Sequence, residues 1–514
     1  MAEFKLRYHQ QKIVDTCRDI LGGEEIKEIV LSVTPGGGKS FVPVILAENL
    51  IPTIADRICW VVPRNALKYQ GEGEFADPRW NTAKRIRAAD NSSDLSRGLD
   101  GYVTTYQAIG QNPQCHETEF KKHKYILFLD ECHHVAQDSM WHKALAPLVK
   151  NAVLVVKASG TLSRGDGSKI AFMPYSCGRV DLSENPGRRI IVYGRNRAIA
   201  DKAILSVEFR TVDAEAEWEE LDGSKGNSKL SGEESAKALF TALRTEFADY
   251  LLDSALEEFR VMRSEYENAK MLVVAPNIEI AKAYWSHLAD SGYETRIATS
   301  EDTPQARRNL DDFKSGKYRV LVTVAMAYEG LNVPEVSVIC CLSHIRSVPW
   351  LEQCFARANR LAPGKKSAVV FAPADWNFKK AVKMIKNEEL VPLSDGQGEL
   401  FGAEEKGEGS GTGQARPWII PLSSTAEGAE NKTEVRIDLP PCAPSEMEKI
   451  LRKNINAIIE GYLATVRPGS KQMQSRMLYR RLRLIVPKSV SEMTGKELEK
   501  VWIWLKKEYG NKNC

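Results

Sequence analysis

The sequence predicts an α/β protein of two tandem parallel-sheet domains followed by a small helical domain. Three observations carry this. Short apolar runs alternate with helical stretches in the first part of the chain, the signature of parallel strands packed under helices. The same rhythm resumes after a less regular interval. Beyond about Val391 the composition changes sharply, first to Gly and Glu and then to a basic helical tail.

Candidate strands in the first block are Ile29–Val33, Arg57–Val62, Tyr102–Thr105, Tyr125–Asp130 and Val153–Ala158. The second block offers Lys270–Ala275, Thr295–Thr299, Tyr318–Val324, Val336–Leu342 and Ala368–Ala372. Two sets of about five strands suggest two similar domains, residues 1–180 and 270–390. Between them, 181–269 reads as a decorated connection. It carries a basic strand-like segment, Arg188–Tyr193, and an acidic, Gly-containing loop around Asp213–Gly232. A helical pattern over Glu234–Met262 follows, with Leu239, Leu243, Phe247, Leu251 and Leu252 as its apolar positions.

Residues 391–440 read as a flexible linker, because Gly396–Gln414 has little to bury. Within it, Trp418-Ile419-Ile420-Pro421-Leu422 either packs back onto the second domain or docks a protein partner. Residues 441–514 form the helical tail, with fifteen Lys/Arg against seven Asp/Glu. Arg476, Arg480, Arg481 and Arg483 fall along one side of a helix there; that face is either simply solvated or meets nucleic-acid phosphates.

At roughly 100–200 residues per domain, 514 residues accommodate two to four domains. A net charge of +3 is too small to characterise the whole chain, so local charge matters more. The ten cysteines form no Cys-x-x-Cys pair, and Cys340-Cys341 lies in an apolar run; free core thiols in a reducing compartment are expected. No run has the length of a membrane span and Met1–Gln11 is charged, so a cytoplasmic protein with no membrane partner is the expectation.

Thr34-Pro35-Gly36-Gly37-Gly38-Lys39-Ser40 follows an apolar strand and precedes the helical run Phe41–Leu50. A phosphate-binding loop needs that context. Glycines let backbone N–H groups turn inward, and the next helix adds its positive end. Lys39 would reach the β- and γ-phosphates and the Ser40 hydroxyl would ligate Mg²⁺. Val33 stands where the usual pattern has its first glycine.

About ninety residues on, an apolar strand ends in Asp130-Glu131-Cys132-His133-His134. The C-terminal edge of a parallel strand opens into the same crevice as such a loop. Asp130 there can hold Mg²⁺ through water, and Glu131 can orient and deprotonate an attacking water. A zinc site from Cys132, His133 and His134 with His142 or Cys115 is the rival reading; adjacent ligands on one strand end diverge.

Together the two motifs resemble superfamily 2 helicases, in the DEAD/DEAH-like group with a DECH box, among restriction- and phage-type proteins. The resemblance continues in order over about three quarters of the chain. Leu6-Arg7-Tyr8-His9-Gln10 is similar to the adenine-contacting segment, with Gln10 as reader. Val62-Pro63-Arg64-Asn65-Ala66-Leu67 resembles motif Ia and Val103-Thr104-Thr105-Tyr106-Gln107 motif Ib, which implies strand contacts for Arg64 and Thr105. Ser159-Gly160-Thr161 resembles motif III, coupling hydrolysis to movement through Ser159, Thr161 and His133; its glycine, often alanine in the family, would leave the loop more flexible. Leu321-Val322-Thr323 with Tyr328-Glu329-Gly330-Leu331-Asn332 resembles motif V, implying a strand contact for Thr323 and nucleotide contacts for Gly330 and Asn332. Gln353-Cys354-Phe355-Ala356-Arg357-Ala358-Asn359-Arg360 fits motif VI. On a helix, Gln353, Arg357 and Arg360 share one face and would act catalytically, the arginines as fingers from the second domain.

The resemblance implies two RecA-like domains, ATP and Mg²⁺ as cofactors, and a helicase or translocase whose partner is nucleic acid, DNA rather than RNA. Open alternatives are an RNA helicase, a nucleic-acid-stimulated ATPase that remodels a protein partner without unwinding, and an inactive binding module.

Overall fold

The computed structural model describes residues 6–388 apart from 93, 300–302 and 325–332, the strand at 419–433, and separate positions between 455 and 505. Its first lobe runs α1 (Tyr8–Leu21), β1 (Glu28–Val33), α2 (Val42–Leu50), β2 (Arg57–Val62), α3 (Asn65–Ala76) and β3 (Ile86–Ala88). There follow β4 (Gly101–Thr105), α4 (Tyr106–Gln111), α5 (Pro113–Lys122), β5 (Tyr125–Asp130), α6 (Met140–Asn151) and β6 (Leu154–Ser159). A short hairpin of β7 (Tyr175–Ser176) and β8 (Arg179–Val180) precedes β9 (Arg188–Tyr193) and α7 (Arg195–Ala200). The seven strands other than the hairpin form one sheet, β3-β4-β2-β5-β6-β1-β9, with every neighbour parallel.

Parallel sheets bury both faces, and the strands show it residue by residue. Ile58, Trp60 and Val62 of β2 join Ile29, Leu31 and Val33 of β1 in one core, while Cys59, Val61 and Val30 join the other. Each fully buried Val, Ile or Leu contributes about 1.5–3 kcal/mol, so the sheet's middle strands anchor whatever stands at their ends.

The second lobe runs β10 (Glu208–Glu220), β11 (Lys225–Lys229), α8 (Ser235–Ala242), α9 (Glu246–Glu265), β12 (Lys270–Ala275), α10 (Ile278–Asp290) and β13 (Thr295–Ala298). It continues through α11 (Thr303–Ser315), β14 (Val320–Val324), β15 (Val336–Cys341), α12 (Val348–Phe355), β16 (Val369–Pro373), α13 (Trp376–Asn387) and β17 (Ile419–Thr433). The sheet order is β11-β10-β16-β15-β12-β14-β13, with β17 pairing antiparallel to β10. Cys340 and Cys341 of β15 are buried in opposite faces of this sheet.

The interval read as a connection is divided between the sheets. Arg188–Tyr193 pairs in parallel with β1 as the first sheet's last strand, and its basic, half-exposed character is that of an edge. The stretch expected to be an acidic loop begins with most of the long strand β10, whose Val212, Ala214, Ala216 and Trp218 point inward while Glu215, Glu217 and Glu219 point outward. That alternation has the strand period of two, which the acidic composition obscured. The helical pattern at Glu234–Met262 breaks into α8 and α9.

Within the expected linker, residues 419–433 form β17 on the edge of β10. The Ser424 hydroxyl accepts from Phe247 N at 3.1 Å, and Ser424 N donates to Glu246 Oε2 at 3.1 Å, fastening β17 to the start of α9. Ile419 packs against the second lobe's core, so part of the apolar patch is used internally. Residues 435–514 form a separate unit. Among its described positions Ile455, Ile459, Leu478, Leu482, Leu498 and Leu505 share an apolar cluster. Arg481 lies within the described residues; Arg476, Arg480 and Arg483 lie outside them. Among the described residues no helix is long and apolar enough to cross a membrane.

Candidate active site

Strand ends of the first sheet assemble one half of the site. β1 delivers the loop Thr34–Lys39, β5 delivers Asp130 and Glu131, and β6 delivers Ser159. Gly36 and Gly38 adopt left-handed φ of 85° and 89°, which a side chain disfavours, and a Cβ on Gly37 would stand 2.7 Å from Val33 Cγ1. All three glycines are therefore required by the loop's shape. Lys39 and Ser40 begin a 3₁₀ turn that leads into α2.

Lys39 Nζ lies 2.9 Å from Asp130 Oδ1 and also bonds Glu131 Oε1. Burial acts to lower the Lys39 pKa, but the two carboxylates outweigh it and the net shift is upward. The same cluster drives the carboxyls apart. Burial raises Asp130 despite Lys39, whereas in Glu131 the pull of Lys39 and His133 overcomes burial and holds it well below the usual carboxylate range. Glu131 sits at φ 47°, a strained left-handed conformation for a residue with a side chain and one that clusters at functional sites.

Three residues that were assigned no role in the motifs complete this half, and a fourth reaches it from the second lobe. Trp60 Nε1 donates to Asp130 Oδ2 at 3.3 Å and Tyr106 Oη to Asp130 O at 2.7 Å. Ser40 Oγ donates to Glu74 Oε1 at 3.0 Å, linking α3 to the loop. Asn359, between the two motif VI arginines, directs its carboxamide 3.5 Å from Pro35 O. A polar side chain just past a strand end was the available signal for Tyr106; nothing in the spacing marked Trp60 or Glu74.

The segment before α1 wraps the loop. Arg7 donates to Gly36 O at 3.2 Å and Gln10 Nε2 to Gly38 O at 3.1 Å, while Gln10 Oε1 accepts from Arg7 N at 2.9 Å. Gln10 is thus engaged at both ends of its carboxamide. Burial lowers His9 to about 4, so the ring beside Gly38 is neutral.

The second lobe meets this half through motif VI. Gln353 Nε2 donates to His133 Nε2 at 3.3 Å; the proton then sits on His133 Nδ1, which donates to Ser159 Oγ at 2.8 Å. Both ring nitrogens of His133 are occupied, which leaves none for the zinc arrangement. Ser159 Oγ accepts from Thr161 N at 3.0 Å and gives its one proton to Thr161 O at 2.5 Å, while His133 Nδ1 itself lies 3.4 Å from Glu131 Oε2. A polar line therefore runs from Glu131 to His133, whose ring Ser159 orients, and on to Gln353. Gly160 closes against the phosphate loop; a Cβ there would stand 2.8 Å from Pro35 Cγ. Close approach, rather than added flexibility, is the reason for glycine in motif III.

The shared-face expectation for Gln353, Arg357 and Arg360 is corrected. α12 ends at Phe355, so the arginines stand on the turn beyond it. Arg360 nevertheless reaches the loop, its Cγ 3.8 Å from where a Gly36 Cβ would be. Thr105 and Thr323 are buried with their hydroxyls in local use, Thr105 capping α4 and Thr323 bonded to Ala298 O, which leaves Arg64, at the N-cap of α3, as the accessible strand-contact candidate. Gly330 and Asn332 lie outside the described residues.

Residues 3–164 match the type III restriction enzyme res subunit family and residues 251–362 the helicase conserved C-terminal domain. The chain belongs to the superfamily 2 helicases, in the restriction-type group. An uncharacterized protein of Mycobacterium tuberculosis strain H37Rv is 26% identical over 369 residues, 69% of this chain and 60% of that protein. UvrABC system protein B of Nitratidesulfovibrio vulgaris strain DP4 is 26% identical over 281 residues, 53% of this chain and 36% of its own. The match thus spans less than two thirds of these relatives. The solved ATP-dependent type ISP restriction-modification enzyme LlaBIII bound to DNA shares the fold of this superfamily 2 chain. It does so at a TM-score of 0.51 and 12% identity, over 99% of this chain and 40% of that one.

The donor set suits a magnesium-bound nucleoside triphosphate. A glycine loop with no room for a Cβ, one buried ammonium, and a hydroxyl and a carboxylate flanking it are what phosphate and Mg²⁺ require.

Proposed function

We propose that the chain is an ATP-dependent helicase or translocase acting on nucleic acid, DNA before RNA, with ATP held between the two lobes. The observation that carries this reading is the line from Glu131 through His133 to Gln353, since it joins a carboxylate that would activate water on one lobe to motif VI on the other. The DNA preference draws support from the structural neighbour LlaBIII, which is bound to DNA.

In this reading Lys39 and the loop backbone bind the phosphates, and Ser40 and Asp130 hold magnesium. The metal, when bound, supplies charge neutralisation at the phosphates. Glu131 orients water and takes its proton; it is ionised because Lys39 and His133 outweigh burial. Arg357 and Arg360 approach from the second lobe, so they stabilise the transferring phosphoryl group only while the lobes are closed. Loss of that group releases the second lobe, and Arg64 together with the motif V region changes its grip on the strand. Gly330 and Asn332 are proposed nucleotide contacts on resemblance alone.

The test is ATP turnover alone and with single-stranded DNA, duplex DNA and RNA, followed by strand displacement. Stimulation by DNA is expected. Turnover unmoved by any nucleic acid would sink the motor reading. Glu131→Gln is expected to retain ATP binding and lose about 10²–10⁴-fold in turnover; normal hydrolysis by that variant would remove the water-activating role.

A further inference from the structure

Carbonyls beyond a helix end have no partner within the helix and need donors from elsewhere. α12 stops at Phe355, so the turn carrying Arg357 and Arg360 is in that position. Two of its carbonyls, Ala358 O and Arg360 O, accept from one buried ammonium, Lys365 Nζ, at 2.6 and 3.0 Å. The same ammonium donates to Val336 O at 2.6 Å and Pro334 O at 2.9 Å, at the start of β15. Four carbonyls thus share three protons.

Lys365 is 6% exposed and, among the described residues, has no carboxylate within ion-pairing distance. Burial lowers it to about 7, with Glu335 opposing and Arg360 adding to the shift. A buried ammonium held only by carbonyls is a costly way to cap a turn. It has one geometric merit: a single group ties the arginine turn to a central strand of its own sheet. The turn's other side faces the first lobe, where Asn359 O accepts from Leu205 N at 2.7 Å and the Asn359 carboxamide meets Pro35 O.

We propose that Lys365 is a positioning residue for the arginine pair, fixing the turn from Ala358 to Arg360 to the start of β15. It thereby sets where the two guanidiniums stand against the phosphate loop. The proposal rests on the reading of Arg357 and Arg360 as groups that complete the nucleotide site.

Lys365→Met keeps most of the length of the side chain and removes its donors. Its kcat for ATP is expected to fall about 10–100-fold, with KM and fluorescent-nucleotide affinity within about twofold of the parent, because the phosphate loop is untouched. The second arm places Lys365→Met in an Arg357→Ala/Arg360→Ala background, where it is expected to slow turnover no further. A purely structural lysine would instead lower kcat by the same factor in both backgrounds, or raise KM, and either result overturns the proposal. If Lys365→Met does not fold, Lys365→Gln, which keeps two donors, enters the same cycle; failure of both to fold assigns the lysine to stability and overturns the positioning role. If the arginine variants turn over normally, the arginine reading fails and takes this role with it. If they are slow while Lys365→Met is not, the positioning role alone is lost.

Discussion

The two halves of the site are built on different principles. In the first lobe every group proposed to act stands at or just past the end of a buried strand, and the loop among them is shaped by glycines that admit no side chain. In the second lobe the two arginines stand on an irregular turn past a helix end, held by one lysine behind and by Asn359 in front. In the proposed motor the first half is therefore a preformed cradle, and the second a movable contact whose position depends on a few polar bonds. A motor needs this asymmetry, because one side must keep the nucleotide while the other lets go.

The largest expected effect tests that asymmetry directly. Lys39→Ala removes both the proposed phosphate-binding cation and the partner of Asp130 and Glu131. It should weaken fluorescent-nucleotide binding, lower turnover by about 10³-fold or more, and lower the melting temperature, since breaking a buried ion pair leaves charges uncompensated. Arg360→Ala should lose about 10³-fold in turnover while nucleotide affinity and melting temperature stay close to the parent's. If both variants lose affinity alike, the division into cradle and movable contact is wrong.

An intermediate effect is expected at Gln353, where the halves communicate. Gln353→Ala cuts the line between His133 and the second lobe but removes nothing from the phosphate loop. Basal turnover should change little, while the ratio of nucleic-acid-stimulated to basal turnover should fall about tenfold, a transition-state effect of one polar contact with a charged network. Unchanged stimulation would mean that the lobes are coupled elsewhere.

How far this was legible in the sequence follows the same asymmetry. Strand-end chemistry leaves a local signature, an apolar run closing on polar residues, so Lys39, Ser40, Asp130 and Glu131 could be singled out from the residues, and Ser159 from its resemblance to motif III. Groups that reach the site from a helix or a neighbouring strand leave none; Glu74 arrives from α3 and Trp60 from inside β2. The α12 terminus was missed because Gln353, Arg357 and Arg360 satisfy helical spacing whether or not a helix continues. Core strands buried on both faces were read to within a residue or two. β10 was hidden because its outward face is acidic, and β17 because its partner β10 is about two hundred residues away in sequence. Local composition carries no trace of such a pairing.

The smallest expected effect concerns the ground between the lobes. Glu352, beside Gln353, is pushed up to about 8 by burial, with Arg195 opposing and Glu131 and Glu388 adding to the shift. Arg195 and Glu131 belong to the first lobe; Glu388 belongs to the second and accepts from Asn196 N across the junction. A carboxyl raised in the fold from an ordinary value of 4.5 stabilises it most at low pH. That contribution is lost as pH rises from about 4.5 through about 8, because the unfolded chain ionises first. Glu352→Gln is neutral throughout. Its melting temperature should match the parent's near pH 5, exceed it increasingly toward pH 8, and hold a constant lead above that, as followed by calorimetry from pH 5 to 9. A difference that stays flat would mean Glu352 is ionised against Arg195 in a wet junction, and the second half would then be held by an ordinary ion pair instead of a dry, few-bonded contact.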